Sequence, residues 1–585
     1  MAENVTTQAI AASSGLELTD QISSQGSTTS TNDKKIKHDQ LAEVESLESR
    51  DPHQVDGLDD GGYKRELTVS QIIMITFGAG IGTGLWVSTG QALAKAGPAG
   101  CIIAYSVLAV AVIGMYMSIG EMTAFKPVHG GFIRQTQEYV DPAWAFALGL
   151  NFTFEWIIVL PAEVTAAINI IKFWDGSQKV PEVALIVMFL ISMITCNLFP
   201  VRAYGHTEYW MSSIKLLALF AVMIYMLIAT CGGTPGHGPI GFRYFHAPEG
   251  KAFNNSIKGI AAALVQAGFS MGGGEHIAVA AGEAKDPRRA VKKAVAPICL
   301  RMIMFFIVNI FLVTLNTAYN DPRLVNAKGT LASPFVIAIL NGGTKWFAHI
   351  INAFILLTVI SCGNSGIYIA SRCLVSCSKL GLVPAFLGRT DAHGRPRWAL
   401  AIVIVLGSAL CFLNLSATGV VVYGWFSSLV SNAGFICWLS IFVTHIRFRR
   451  GLKAQGIDAK SELPFRDYFA PYTQWIGTVV ILVILIAECY LAIFPIGGKP
   501  SAKHFFSSYI TIPLFIFDFI AYKLWFRSKF VRAKEMDFSE AKYFTIIDDR
   551  LREMEKIREE SRGVKPADNV VIRSLKGFKT MLYGS

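Results

Sequence analysis

The stretch FGAGIGTGLW, Phe77 to Trp86, decides the fold, because it puts four glycines into ten residues of a segment that is otherwise apolar. No charged side chain occurs between Leu67 and Ala94. At about 1.5 Å per residue, a helix of that length is longer than the roughly 30 Å of hydrocarbon in a bilayer. Each glycine weakens a helix by about 1 kcal/mol relative to alanine. A run of them in the middle of a membrane span therefore marks a place where the helix is meant to break.

The rest of the chain supports a membrane setting. Hydrophobic residues make up 52% of the 585 and charged residues 16%, and the apolar content recurs in blocks of spanning length separated by short basic punctuation. This is the composition of an all-α polytopic membrane protein. About twelve spans are expected, centred near Gly82, Val112, Ile157, Phe189, Leu219, Gln266, Phe306, Leu356, Val405, Leu429, Val483 and Phe515. The long block from Leu331 to Leu380 has room for a short re-entrant or extracellular helix ahead of its main span.

Lysine and arginine set the expected orientation. The loop after the sixth span carries Lys285, Arg288, Arg289, Lys292 and Lys293; the loop after the eighth adds Arg372, Lys379, Arg389, Arg395 and Arg397; HIRFRRGLK follows the tenth. These loops are placed in the cytoplasm. The opposite loops, such as Asn316 to Ala332, are poor in basic residues, so both termini are expected inside. The net charge of +11 is then topology and attraction to anionic membrane lipids. Because the charges are dispersed among apolar spans, no nucleic-acid partner is expected.

Residues 1–62 are rich in Ser, Thr, Gln, Asp and Glu and read as a disordered cytoplasmic tail, with no apolar core of a signal peptide. Lys34, Lys35 and Lys37 in it are accessible to modification, although a plain solvated tail explains them equally. The transporter-like region is drawn as 63–527 and a cytoplasmic C-terminal tail as 528–585. Within that tail, SEAKYFTIIDDRLREMEKIREE has charge pairs at helical spacing, either a solvated helix or a surface for trafficking or ubiquitylation machinery. The ten cysteines lie mostly in apolar segments and lack zinc spacing, so no metal, cofactor or disulfide framework is expected.

A second span is interrupted in the same way. The sixth, IAAALVQAGFSMGGGEHIAVAAGEA, contains Gly268 and then Gly272, Gly273 and Gly274. Spans one and six are five apart, as the opening helices of two five-helix repeats would be. Paired glycine-interrupted segments at matching positions of two repeats point to a central binding site in transporters. Unwinding frees main-chain N–H and C=O groups that cost several kcal/mol if left unpaired in a membrane. A half-helix N-terminus attracts a carboxylate, and freed carbonyls attract an ammonium group. Any one of these glycines alone would be read as close helix packing.

At this point the residues meet a known family. GxGIGTGL in the first span, GPAG at Gly97, GEM at Gly120, LPAE at Leu160 and YGHTEYWMSSIK ending at Lys215 resemble fungal amino-acid permeases of the amino acid–polyamine–organocation superfamily. So do FSMGGGEHIAVAAGEAKDPRR, YNDPRL at Tyr319, SPFVIAI at Ser333, SCGNSGIYIASR at Ser361, HIRFRRGLKAQG at His445 and FPIGGKPSA at Phe494. The resemblance is collinear from Tyr63 to Arg527 and is nearest to general amino-acid permeases. It implies two inverted five-helix repeats plus two C-terminal helices, and proton-coupled amino-acid uptake at the plasma membrane, broad or neutral-preferring in range.

Carried onto this chain, the resemblance places carboxylate-binding backbone on Ile81, Gly82, Thr83 and Gly84. It places amine-binding carbonyls on Phe269, Met271 and Gly272, next to Ser270, with the Phe269 ring as an aromatic gate. Lys215 matches a fifth-helix lysine that stands where a sodium ion would otherwise sit against helices one and eight. Burial disfavours the charged form of a lysine, so its proton can alternate with conformation; the alternative is a lysine snorkelling to the interface. Glu163 and Glu275 are proton or amine partners by their position inside spans, with Glu121 and Glu155 ranked below them. For all four, ion pairing within the bundle is the alternative or, for Glu121, a position near the cytoplasmic mouth. Asn364 and Ser365 are expected to face the first helix, with Tyr368 ranked lower, although polar residues in membrane helices also simply join helices.

Three departures from the family pattern bear on substrate range: Trp86 where phenylalanine is usual, glycines at 272 and 274, and Lys292 in place of a proline. The chain carries no GxSxG, HExxH or Walker A sequence that would indicate a membrane enzyme or an ATP-driven pump. A non-transporting or dual-role amino-acid sensor on the same scaffold is the alternative function.

Overall fold

The computed structural model describes residues 68–199, 201–275, 277–280, 284, 286–324, 333–391 and 394–561. The N-terminal tail with Lys34, Lys35 and Lys37, Lys285 of the basic loop, part of the loop between Asn316 and Ala332, and the chain beyond 561 lie outside these residues. The described residues fall into two compact units, one holding 68–541 and the other 542–561. In the latter, a helix over Ala541–Ser561 sets Arg552 at 3.5 Å from Asp548 and 3.7 Å from Asp549, pairs one turn apart on an exposed face.

In the larger unit the regular elements are helices. The first span starts on a capping box: the Thr68 hydroxyl accepts from Gln71 N at 3.3 Å, and the Gln71 side chain accepts from Thr68 N at 3.0 Å. The helix Val69–Ala79 then stops at the glycines, and the chain resumes as a π-helical turn, Gly84–Ser88, leading into Thr89–Phe125. That long element is itself folded at Gly97, whose φ of 75° and ψ of 171° are open to glycine at little cost, with Pro98 starting the next segment. It thus contains the second half of span one and all of span two.

The remaining spans follow in order. They are Pro142–Ile171, Glu182–Thr195, Val201–Thr230, the half-helix Ser256–Met271, and Pro287–Arg301 continuing through a π segment to Asn316. After these come Lys345–Lys379, Arg397–Cys411, Gly419–Ala454, Tyr472–Ile493, and Ala502–Tyr509 with Thr511–Phe526, bent by 64°. A short helix, Pro334–Asn341, precedes the eighth span, where the long apolar block left room for one. Seven described helices are long and apolar enough to cross a bilayer alone, and the bent pair makes an eighth. The others expected from the sequence are those shortened or interrupted: the first, fourth, sixth and seventh.

Burial distinguishes the centre from the rim. In the apolar window of Pro142–Ile171, 89% of residues are buried inside the protein, against 28% for Tyr472–Ile493. An all-apolar helix is either core or lipid-facing, so the third span is a central post, packed chiefly against the eighth and tenth spans, and the eleventh presents its side chains to lipid.

Candidate functional site

The break in the first span is built from glycines that let two backbones converge. A Cβ on Gly84 would come within 2.6 Å of Phe269 O and of Ser270 Cα, so spans one and six cross there at main-chain distance. The crossing is fastened by Ser270 Oγ, which donates to Gly84 O at 2.6 Å. One residue earlier, Thr83 N and Thr83 Oγ1 both donate to Glu163 Oε1 on the third span, at 3.4 and 2.9 Å. The start of the second half-helix, where unpaired N–H groups and the helix dipole favour an anion, is therefore occupied by a side-chain carboxylate from another helix.

The break in the sixth span is closed differently. The helix ends at Met271, Gly272 is extended, and Gly273 takes a φ of 89°. The freed Gly273 N and Gly274 N both donate to the carboxylate of Glu275, each at 3.1 Å. A Cβ on Gly274 would lie 1.7 Å from the Tyr116 hydroxyl and one on Gly268 2.4 Å from the Phe435 ring, so these two glycines serve packing.

Between the two breaks lies a cavity of about 30 Å³, whose lining includes Gly82, Gly84, Glu155, Glu163, Phe269 and Gly272. As it stands it has space for water but not for an amino acid. Phe269 meets Tyr423 edge-on at 6.0 Å, and Tyr423 Oη donates to Thr83 O at 3.3 Å and lies 2.8 Å from Ser88 Oγ. The tenth span is thereby tied across the first.

The end of the first half-helix, where freed carbonyls collect negative partial charge, is held by two buried cations. Lys215 Nζ donates to Gly78 O at 2.9 Å and pairs with Glu208 Oε1 at 3.3 Å; Glu208 in turn accepts from Ser361 Oγ on the eighth span at 2.8 Å. Arg301, 1% exposed, donates to Thr76 O at 2.6 Å and to the Tyr116 hydroxyl at 2.8 Å.

The family model described as "Amino acid permease" matches residues 71–535. The chain belongs to the amino acid permease family. It is 34% identical over 489 residues to the histidine permease of Saccharomyces cerevisiae, covering 82% of this chain and 80% of that one. It is 33% identical over 481 residues to the general amino-acid permease GAP1 of the same yeast, covering 81% and 79%. With the cationic amino acid transporter 1 of Schizosaccharomyces pombe it shares 34% identity over 494 residues, 83% of each chain.

In this permease the expected site residues separate into groups. Gly82, Gly84, Phe269, Gly272 and Glu163 line the cavity, and Thr83 reaches it through Glu163. Ile81, Ser270 and Met271 are buried next to the breaks but outside the lining. Lys215 lies beneath the first break, touching helix one directly and helix eight through Glu208. Glu275 faces its own break, whereas Glu155, ranked lower from the sequence, lines the cavity. Glu121 is ion-paired with Arg449 at 2.5 Å and lies within hydrogen-bond distance of His445, at 2.9 Å.

Two expectations need correction. Asn364 and Ser365 do not face the first helix: Asn364 Oδ1 accepts from Asn197 at 2.7 Å on the segment after the fourth span, and Ser365 Oγ accepts from Tyr204 Oη at 3.2 Å on the fifth. The eighth span presents Cys362 to the first break instead, 2.7 Å from where a Gly82 Cβ would be. Two and three residues further on are roughly 200° and 300° of helical rotation, which carries Asn364 and Ser365 to other neighbours. Trp86 does not shape the pocket either: it is fully buried against Phe335 of the short helix, ring centroids 4.9 Å apart.

Glu208 and Arg301 were missed. Arg301 is a charged residue inside an apolar run, CLRMIMFFIV, and that rarity was the available signal; Glu208 lies in the polar motif YGHTEYWMSSIK, where it had no such contrast.

Proposed function

We propose that this permease imports amino acids across the plasma membrane in symport with protons, with both termini in the cytoplasm, by rocking helices one, two, six and seven against the rest. The observation that carries this reading is the Glu163 carboxylate on Thr83 N and Oγ1. It marks the start of the second half-helix as an anion site, and a substrate carboxylate arriving there must displace it. Freed carbonyls of the sixth span supply the opposite pole, so the cavity is complementary to a zwitterion.

Lys215 supports the proton arm. Its ammonium bridges Gly78 O to Glu208, and through Glu208 to Ser361, so it joins a helix of the moving bundle to two that stay. Transfer of one proton in that cluster removes a charge-assisted bond and frees the first half-helix to move. Pairing within the permease occupies both groups, which disfavours the snorkelling alternative.

Uptake of radiolabelled amino acids by a permease-deficient yeast expressing the full chain tests both arms. Uptake is expected, abolished by a proton uncoupler and lost in Lys215→Ala. Uptake that resists the uncoupler would remove proton coupling, and amino-acid binding without uptake would favour the sensor.

A further inference from the structure

The strongest unexplained feature of the central cavity is Glu155. Its side chain is 3% exposed and lines the cavity, its Oε2 is buried with no hydrogen-bond partner, and among the described residues no lysine or arginine pairs with it. Glu163, two turns further along the same helix, spends one oxygen on Thr83 at the first break. Glu155 caps neither break; it stands beside Gly434 of the tenth span, 3.5 Å from where a Cβ there would be, and shares the cavity with Gly272 and Gly273 of the sixth-span break. The wall between the two acids is apolar, with Trp156, Val159 and Val430 among its residues.

An acid held inside a membrane protein without a partner is costly and is satisfied by a proton or by a cation supplied from outside the chain. We infer that Glu155 is a subsite for the positively charged side chain of a basic amino acid, so that lysine- and arginine-like substrates lay their methylene stem along Trp156, Val159 and Val430 and place the ammonium or guanidinium on Glu155.

The geometry suits this. Eight residues of helix separate Glu155 from Glu163, a rise of about 12 Å between Cα atoms, so two acids of one helix line the cavity about two turns apart. The zwitterionic head stays at the broken helices, and at the far end Glu155 faces the bare backbone of Gly434, where an added Cβ would make ordinary contact at 3.5 Å. A neutral side chain leaves Glu155 to its proton, so neutral substrates are accepted but not favoured. This rests on the amino-acid site proposed above and adds its substrate class.

The test compares lysine with norleucine, its neutral counterpart of similar length, in the yeast uptake assay. In the unmodified permease lysine should inhibit labelled leucine uptake at lower concentration than norleucine does. In Glu155→Gln the KM for lysine and arginine should rise about 30-fold or more, as expected for loss of one partner of a buried charge pair, while leucine uptake stays within about twofold and reports correct folding. Glu155→Asp should recover part of the lysine affinity. Equal inhibition by lysine and norleucine in the unmodified chain overturns the subsite with no variant needed. So does a Glu155→Gln permease that loses lysine and leucine uptake in equal proportion, or one that keeps its selectivity and loses only uncoupler sensitivity, since that assigns Glu155 to protons. Failure to take up any amino acid would instead remove the reading on which the subsite rests.

Discussion

The two broken helices solve the same problem in opposite ways. At the sixth-span break the freed N–H groups of Gly273 and Gly274 are capped by Glu275, one or two residues away in the same chain segment. At the first-span break Thr83 is capped by Glu163, 80 residues away on the third span. A local cap moves with its break. A cap borrowed from another helix can be exchanged for a ligand whenever the helices shift. The first break is thus the place where an external carboxylate can compete, and the sixth contributes carbonyls and a stable bend.

The largest effect expected from this contrast comes from glycine substitution. Gly84→Ala drives a methyl group into the main chain at Phe269 and Ser270, neither of which can yield, and should cost on the order of 3 kcal/mol and abolish uptake. Gly272→Ala meets only Gly268 O at 3.5 Å and leaves folding intact. Surface abundance and uptake of the two variants check this, and equal damage from both would dissolve the distinction between the breaks.

Next come the two caps. Glu275→Ala strands two main-chain donors and should lower stability by about 2 kcal/mol or more, with no recovery when amino acid is added. Glu163→Ala loses its cap as well, but a bound amino acid carboxylate replaces it, so saturating substrate should raise its melting temperature by more than it raises that of Glu275→Ala. Thermal unfolding of the detergent-solubilised permease with and without substrate reads both. The smallest effect is Thr83→Val, which removes one hydroxyl hydrogen bond to Glu163, worth about 1 kcal/mol, and should shift KM no more than about fivefold.

The sequence carried the architecture because membrane spans advertise themselves by length and by lack of charge, and the breaks by their glycines. Gly82, Gly84 and Gly272 were legible for that reason. Which side of a helix faces the site was not. Asn364 and Ser365 sit on a segment polar enough to suggest a site, but a rotation of less than one turn gives that role to Cys362. Glu155 lines the cavity while Glu275 turns to its own break, because a residue two positions from a break can fold back onto it, and only the backbone path shows that it does. Lys215 was placed by resemblance; its partner Glu208, seven residues earlier in the same motif, needed the coordinates to be seen.

The most direct measurement is a structure of the permease with a bound amino acid. The substrate carboxylate should lie on the main-chain donors at Gly82 to Gly84, with Glu163 moved off Thr83 and Glu275 still on Gly273 and Gly274. A bound substrate whose carboxylate rests elsewhere while Glu163 keeps Thr83, or one that displaces Glu275 instead, would contradict it.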